Sequence, residues 1–349
     1  MINRQFGALQ GLAIMLVVIN HSIGMGLDTQ RLGYAPPAEG GLYTILLILH
    51  QLGIFAVPTF LFISGCFFSY AAQGNDPKLS WKVVWVGLKR LLWPCLFWSI
   101  VFYIWIHLRW DEVYTPLGYI KNLVVGYPFH FIPLIAFYYV LSPILVRLAK
   151  RLGFVLIAVI GLYQLMLLNM VYPGMLGFTF QTWMDFLAPP VIRSTLALWA
   201  IYFPLGLVYS INARSMLPWL QRFRWAILAL TIVFFVISLL DLFSVWRFPL
   251  ASFICPLLFL FFVPTLQRDS IPMVRGLEKI GRRAYGLYLT NLLVLDVVLL
   301  GVHLLLPWLF NDQVLLQPIL LAVTLSGSLV LMDGVIRLPT RPMYRYVFG

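Results

Sequence analysis

Ten long apolar runs constrain the fold of this chain more than any other feature of its sequence. A transmembrane helix needs about 20 consecutive apolar residues to cross a hydrocarbon core about 30 Å thick. Only 10% of the residues are charged, whereas roughly 25% are charged in soluble globular proteins. The sequence therefore predicts an all-α, polytopic membrane protein with about ten transmembrane helices. The approximate limits of the runs are 6–27, 43–72, 84–108, 131–147, 152–171, 195–211, 225–243, 248–266, 284–306 and 314–332.

The lengths of the runs and of the segments between them predict how the chain is organised. The second run is longer than one crossing needs, so it either tilts or breaks near Pro58. No small-x-small cleavage site follows the first run, which predicts an uncleaved first helix. The longest connecting segments, 109–130 and 172–194, are too short for a soluble domain. We therefore expect a single membrane domain over residues 1–349.

The distribution of basic residues predicts the orientation in the membrane. Placing the N-terminus in the cytoplasm leaves 19 of the 24 Lys and Arg residues in cytoplasmic segments and five in the others. Cytoplasmic loops carry an excess of Lys and Arg in membrane proteins. This split predicts an even number of helices with both termini inside. The five outer residues are Arg31, Arg109, Lys121, Arg193 and Arg247.

Charge and motif content exclude several function classes. The formal charge of +12 is spread in short clusters between apolar runs, as topogenic charges are, so we expect no nucleic-acid partner. The three cysteines lie inside apolar runs and no CxxC or HExxH spacing occurs, so we expect neither a disulfide framework nor a metal. The chain has no Walker loop and no GxGxxG, so neither ATP hydrolysis nor dinucleotide chemistry is indicated.

His21 is the strongest functional signal in the sequence. It lies more than ten residues into the first run, and an ionisable side chain inside the membrane marks a functional site by default. The alternative is a neutral histidine hydrogen-bonded between helices or placed near the outer interface. With an unperturbed pKa of about 6.5, a neutral imidazole can act as a general base near pH 7.

Gln10 precedes His21 by eleven residues, which is about three helical turns or 16 Å. Both side chains then project from one face of the first helix, and that face either lines a pore or packs on a neighbour. The Gly7–Gly11 pair favours packing for Gln10, because GxxxG spacing lets helices approach closely.

Further polar residues in the runs are candidates for the lining of a cavity. Ser64, followed by Gly65, marks either close helix approach or a local opening; it has no GxSxG elbow around it and is not predicted to be a nucleophile. His130 is placed at an outer interface. Asn291 and Asp296 lie inside the ninth run, behind Arg282 and Arg283, and Asp296 either orients a distant histidine or satisfies another helix.

Lys89 and Arg90 lie where the third run enters the membrane from the predicted cytoplasmic side. Two interpretations remain open for this pair. They are either topogenic anchors or a cationic clamp for phosphate groups, which a guanidinium binds in a bidentate manner.

Several of these segments together resemble one family. The segments "LQGLAIMLVVINHS", "FLFISGCFF", "KRLLWP", "HFIPLIAFYYVLSPIL" and "GRRAYGLYLTN" occur in the order and spacing of the acyltransferase-3 family of prokaryotic integral membrane acyltransferases. The resemblance spans nearly all ten runs. Each segment alone is mostly apolar and weak, but the set is fairly specific.

The resemblance implies transfer of an acyl group, usually acetyl, from cytoplasmic acyl-CoA to a hydroxyl of a cell-envelope or exported glycan. It implies a multi-pass protein of the plasma (inner) membrane, with acyl-CoA as donor substrate, a glycan or lipid-linked acceptor, no bound cofactor, and a partner from the same envelope pathway. The family's first-helix histidine falls on His21, as base or acyl carrier, and its basic residue near the donor falls on Arg90, beside Lys89. A cavity is then expected along the Gln10–His21 face, walled by the first, second, third and ninth runs.

Three positions depart from the family pattern, and a second function class therefore stays open. Many members have Arg at the position of Gln10, His at that of Asn291 and a basic residue at that of Val86. The alternative is a non-enzymatic transporter or polysaccharide-export subunit on the same scaffold. A lipid or small-molecule acyltransferase is a third possibility.

Overall fold

The computed structural model describes residues 2–34, 40–72, 81–180, 182–267, 271–337 and 343–349. The described residues form helices and connecting turns and no strand, so the prediction of an all-α polytopic membrane protein is confirmed. Three counted basic residues, Lys78, Arg268 and Arg341, lie outside the described residues. The α-helices are α1 Ile2–Leu27, α2 Gly41–Gln51, α3 Ala56–Ala71, α4 Trp81–Trp110, α5 Pro116–Val125, α6 Phe131–Leu152, α7 Phe154–Val171, α8 Arg193–Trp199, α9 Tyr202–Leu242, α10 Ala251–Phe262, α11 Val274–Gly281, α12 Ala284–Leu305, α13 Gln313–Arg337 and α14 Tyr344–Val347.

Eight helical segments within the described residues are long and apolar enough to cross a membrane, against ten predicted runs. The difference arises in one region. The runs 195–211 and 225–243 both fall largely in α9, which has 41 residues. The run 248–266 forms α10 and a 3-10 turn, which together reach only from Ala251 to Thr265 and are shorter than a full crossing.

Helix α9 is sharply bent, and its two arms correspond to the two predicted runs. Asn212 has non-helical backbone angles, and its Nδ2 donates to the carbonyl of Val208 at 2.9 Å. In a straight helix Tyr202 and Thr231 would lie about 43 Å apart. Both instead contact one turn of α10.

The two contacts with α10 establish the bend. The Tyr202 hydroxyl donates to the Phe253 carbonyl at 3.2 Å, and the Cys255 thiol donates to the Thr231 carbonyl at 3.4 Å. The chain therefore folds back near Asn212. The second arm of α9 is long enough for a crossing of its own, whereas the first arm, residues 202–212, approaches that length only together with α8. The basic residues Arg214, Arg222 and Arg224 follow the bend and need not lie in hydrocarbon.

The second run is interrupted, as its length suggested, but the break precedes Pro58. A 3-10 turn at Leu52–Phe55 separates α2 from α3, and Pro58 lies in the first turn of α3, where proline is tolerated. Irregular backbone at membrane depth requires protein around it. Here Gly53 packs directly on Asn20 of α1, since a Cβ at Gly53 would lie 2.5 Å from Asn20 Nδ2.

The described residues group into two compact units. The first comprises Met1–Ala56, Trp93–Val113 and Met273–Gly349. In it α1 packs on α11 through glycines: a Cβ on Gly11 would strike the Leu277 carbonyl, and one on Gly281 would strike the carbonyl of Gly7. The close-approach interpretation of the Gly7–Gly11 pair is therefore correct.

The first unit also contains a buried cluster of apolar side chains formed by the second half of α12, the 3-10 turn that follows it and the start of α13. Leu295, Leu299 and Leu316 are among its buried members. At the other end of α12, Arg283 Nη1 lies 2.7 Å from Asp333 Oδ1 of α13. These contacts hold α12 and α13 side by side.

The second unit comprises Val57–Leu92 and Tyr114–Pro272. Helix α3 packs on α9 through Gly65 and Gly206, where an added Cβ would strike the backbone carbonyls of Phe203 and Phe62, respectively. Gly65 therefore marks close helix approach and not an opened helix. The backbone between α8 and α9 also has hydrogen-bond partners within this unit. Gln164 Oε1 accepts from the Ile201 amide at 2.8 Å, and the Tyr138 hydroxyl donates to the Ala200 carbonyl at 2.6 Å.

The segment 109–130 contains one short helix. Thr115 caps α5 by accepting from the amide of Gly118, and Gly126 ends the helix with φ of 79°. The cytoplasmic placement of both termini and the single domain over 1–349 stay predictions.

Candidate functional site

His21 and Asn291 form a side-chain pair inside the first unit. His21 Nδ1 lies 2.6 Å from Asn291 Oδ1. His21 projects from α1, and Asn291 lies in the second turn of α12, where its side chain is fully buried. The structure therefore brings together two of the polar residues singled out in the sequence.

The bonds of the Asn291 amide determine the proton position on His21. Asn291 Nδ2 donates to the carbonyls of Leu287, at 2.9 Å, and Tyr288, at 2.6 Å. Carbonyl oxygens only accept, so the amide nitrogen must face them and the amide oxygen must face His21. An amide oxygen also only accepts, so His21 Nδ1 carries a hydrogen. In the neutral ring, Nε2 is then the nitrogen with the lone pair.

This arrangement has the form of an oriented general base. The other ring nitrogen of His21 is not held by any hydrogen bond among the described residues, and the side chain is partly accessible. A base needs an unprotonated nitrogen, a fixed ring and room for a reactant. Asn291 supplies the second feature through a neutral acceptor, where the Ser-His-Asp triad uses a carboxylate.

Gln10 lies on the same face of α1 as His21 by helical spacing, and both side chains are partly exposed. Among the described residues no hydrogen bond engages the Gln10 side chain. The two polar groups are thus both accessible along one face of α1.

Asp296 binds a different partner from His21. Trp105 Nε1 of α4 donates to Asp296 Oδ2 at 2.6 Å, within the first unit. Asp296 follows Asn291 by five residues and therefore projects from another face of α12. Of the two interpretations of Asp296, the structure supports the second, in which its carboxylate forms a hydrogen bond with a neighbouring helix.

Ser64 and His130 lie in the second unit and have local roles there. Ser64 is hydrogen-bonded to the Tyr139 side chain of α6. His130 is exposed at the N-terminus of α6, with its ring 6.1 Å from that of Tyr127. Such an exposed end position is typical of an interfacial histidine.

Lys89 and Arg90 differ in what surrounds their charges. Both are exposed on α4 in the second unit. Lys89 Nζ lies 5.2 Å from the centroid of Trp85, one turn earlier, in a cation–π contact. Among the described residues, Arg90 has neither an ion pair nor a hydrogen bond. Arg90 therefore has the more available charge of the two.

Sequence reasoning missed His50, in the last turn of α2. Its backbone carbonyl accepts from Asn20 Nδ2 at 2.9 Å, next to His21 in the chain. The signal was present, because "LLILHQLGIF" places an ionisable side chain inside an apolar run, as His21 is placed in the first run. Trp105 carried no such signal, since tryptophan is common in membrane helices.

The comparison with protein families identifies the scaffold on which these residues lie. A family model described as an acyltransferase domain matches residues 3–333, which is nearly the whole chain. The chain belongs to the acyltransferase-3 family. Comparisons with curated proteins and with solved structures returned no significant match.

Family membership confirms the resemblance seen in the sequence and gives the His21–Asn291 pair a chemical context. Acyl transfer to a hydroxyl requires removal of the hydroxyl proton as the new bond forms, and an oriented imidazole performs that step in many enzymes. In this chain the oriented imidazole of His21 lies in α1, which is long and apolar enough to cross a membrane.

Proposed function

We propose that this protein is a multi-pass acyltransferase of the plasma (inner) membrane. It moves an acyl group, which we propose to be acetyl, from acyl-CoA to a hydroxyl of a cell-envelope or exported polysaccharide. Family membership supports acyl transfer in general. The donor and acceptor are proposed from the resemblance noted in the sequence.

The observation that carries the proposal is the free Nε2 of a ring whose Nδ1 is held at 2.6 Å by Asn291. In the proposed step, Nε2 takes the proton of the acceptor hydroxyl while the hydroxyl oxygen bonds to the thioester carbonyl carbon. The carbon–sulfur bond then breaks, and the proton passes to sulfur to release the thiol. The products are the ester and free CoA, so atoms and protons balance.

Arg90 is proposed to bind the phosphates of acyl-CoA. An exposed guanidinium with no protein partner among the described residues is free to form two parallel hydrogen bonds with a phosphate. Lys89 contributes less in this proposal, because its ammonium already contacts Trp85.

The proposal is tested with purified protein in nanodiscs, given radiolabelled acetyl-CoA and acceptor-containing cell-envelope membranes. CoA release and label in the polysaccharide fraction are both measured. His21→Gln should lower transfer by about 10²- to 10⁴-fold, the range for loss of a general base. The matched control is His107→Gln, because His107 is half-exposed on α4.

Two results would contradict the proposal. Full transfer by His21→Gln would remove the assigned base. Wild-type protein that releases no CoA, yet is needed for polysaccharide export in cells, would support the export-subunit alternative.

A further inference from the structure

His50 is a second imidazole beside His21 that the proposed reaction has not used. It is the penultimate residue of α2, directly before the 3-10 turn that interrupts the second run. Its side chain is partly exposed, and among the described residues its ring nitrogens make no hydrogen bond. An ionisable group at a helix break inside the membrane is costly unless it serves a function.

Two contacts hold the end of α2 against the turn of α1 that contains His21. Asn20 Nδ2 donates to the His50 carbonyl at 2.9 Å. Gly53 has no side chain where Asn20 packs, and a Cβ there would lie 2.5 Å from Nδ2. The backbone on both sides of His50 is therefore held against α1 by the residue adjacent to His21.

The His50 ring itself faces α1 one turn from His21. A Cβ built on Gly24 would lie 3.5 Å from His50 Nε2, so the ring packs against the bare backbone at that position. Gly24 follows His21 by three residues, and side chains at that spacing lie about 5–6 Å apart on one helix face.

Both imidazoles thus lie at the turn of α1 that runs from His21 to Gly24. Asn291 occupies His21 Nδ1 and leaves Nε2 for chemistry, whereas neither nitrogen of His50 has a hydrogen-bond partner in the described part of the chain. A proton taken up by His21 must leave before the next turnover. A second imidazole can accept a proton at one nitrogen and release another proton from the other.

We propose that His50 is the proton relay between His21 and the leaving sulfur, a role that rests on the proposed acyl transfer. His21 Nε2 takes the proton of the acceptor hydroxyl as the carbon–oxygen bond forms. As the carbon–sulfur bond breaks, its electron pair goes to sulfur. His50 accepts the proton from His21 at one ring nitrogen and gives the proton of its other nitrogen to sulfur. Both rings end neutral, and no further reactant is needed.

The relay makes a prediction that a packing role does not. CoA is an alkyl thiol and leaves poorly as an unprotonated thiolate, whereas an aryl thiolate leaves readily without a proton. Loss of His50 should therefore matter for acetyl-CoA and matter little for S-phenyl thioacetate.

The experiment compares wild type, His50→Gln, His50→Asn and His21→Gln in nanodiscs, with acceptor-containing envelope membranes and each thioester in turn. With acetyl-CoA, both His50 variants should show kcat lowered about 10- to 100-fold with unchanged KM. With S-phenyl thioacetate their rates should be within about threefold of wild type, while His21→Gln stays inactive with both donors. His107→Gln is the control, and thermal unfolding followed by Trp fluorescence verifies that each variant is folded.

The outcomes distinguish failure of the relay from failure of the proposed acyl transfer on which it rests. If wild type cleaves neither thioester, the proposed acyl transfer is wrong and the relay is wrong with it. If wild type is active and the His50 variants match it with acetyl-CoA, the relay is wrong and acyl transfer stands. Equal losses with both donors, or a lowered unfolding temperature, would make His50 a structural residue and also overturn the relay.

Discussion

His21 Nδ1 and Asn291 Oδ1 lie 2.6 Å apart although 270 residues separate them in the chain. The Asn291 amide nitrogen is held by two carbonyls of its own helix, so its oxygen can only face the histidine. This pair defines which nitrogen of His21 is available for proton transfer.

The first prediction concerns Asn291. Replacing it by Leu keeps the branched shape and the number of side-chain heavy atoms but removes the acceptor that orients the ring. We expect Asn291→Leu to lower kcat by on the order of 10- to 100-fold, a part of the full effect of a general base, with KM for acetyl-CoA unchanged. The measurement is steady-state CoA release.

The control for Asn291 is its neighbour Thr290. The Thr290 hydroxyl is buried but donates within its own helix, to the Gly286 carbonyl at 3.0 Å. Thr290→Val should leave kcat within about twofold of wild type. If Asn291→Leu behaves like Thr290→Val, the amide does not orient the base.

The second prediction distinguishes a base from an acyl carrier. If His21 acts as a base, acetyl-CoA supplied without acceptor leaves no label on the protein. Rapid acid-free quenching followed by peptide mass spectrometry should then find His21 unmodified and no burst of CoA release. An acetyl group on His21, together with a burst equal to the enzyme concentration, would show that the ring carries the acyl group.

The third prediction concerns Arg90. We expect Arg90→Ala to weaken CoA binding about 10- to 100-fold, as loss of charge-assisted hydrogen bonds does, and Arg90→Lys to weaken it less. Lys89→Ala should have a smaller effect than Arg90→Ala, because Lys89 lies over Trp85. Binding is measured by calorimetry with CoA in nanodiscs.

Arg224 supplies the comparison for Arg90, since it is also exposed and its guanidinium lies 5.0 Å from the Trp225 ring. Arg224→Ala should leave CoA binding unchanged. Unchanged CoA binding in Arg90→Ala would show that Arg90 is a topogenic anchor, the other interpretation of its position.

The fourth prediction concerns two glycines of α11. A Cβ on Gly281 would strike the carbonyl of Gly7 and lie 2.8 Å from the amide of Gly11, whereas one on Gly276 would meet nothing within 4 Å. Gly281→Ala should destabilise the protein by about 1–3 kcal/mol, because backbone atoms cannot move aside as side chains do. Gly276→Ala should be neutral or stabilising by up to about 1 kcal/mol through helix propensity. Thermal unfolding in detergent compares the two, and equal midpoints would show that α1 and α11 do not pack closely.

The fifth prediction concerns topology. The native cysteines Cys66, Cys95 and Cys255 are free and buried, so new surface cysteines can be labelled selectively. If the chain crosses the membrane both before and after the bend, Ser215→Cys should react on the side that carries a tag at Gly349, and Val245→Cys on the other. Labelling of both positions from one side would show that the bend at Asn212 does not lie between two crossings. A reporter within 109–130 should also lie opposite the tag at Gly349.

The sequence by itself determined the class of the protein and singled out the residue at the centre of the proposed site. Continuous apolar runs are a local property, since each helix must satisfy its own backbone in lipid, and they predicted an all-helical membrane protein correctly. His21 was identified in the same way, because its cost in hydrocarbon depends on its own chemistry and depth.

Only the tertiary structure decided the partners of that residue and the course of the chain between runs. Asn291 and Asp296 are both polar residues in one apolar helix, and which of them meets His21 depends on how α12 is rotated against α1. The place of the break before Pro58 and the bend at Asn212 likewise depend on contacts from distant helices, through Asn20 and α10. Hydropathy records how apolar a segment is, but not which face of it meets which neighbour, and side-chain pairing depends on those faces.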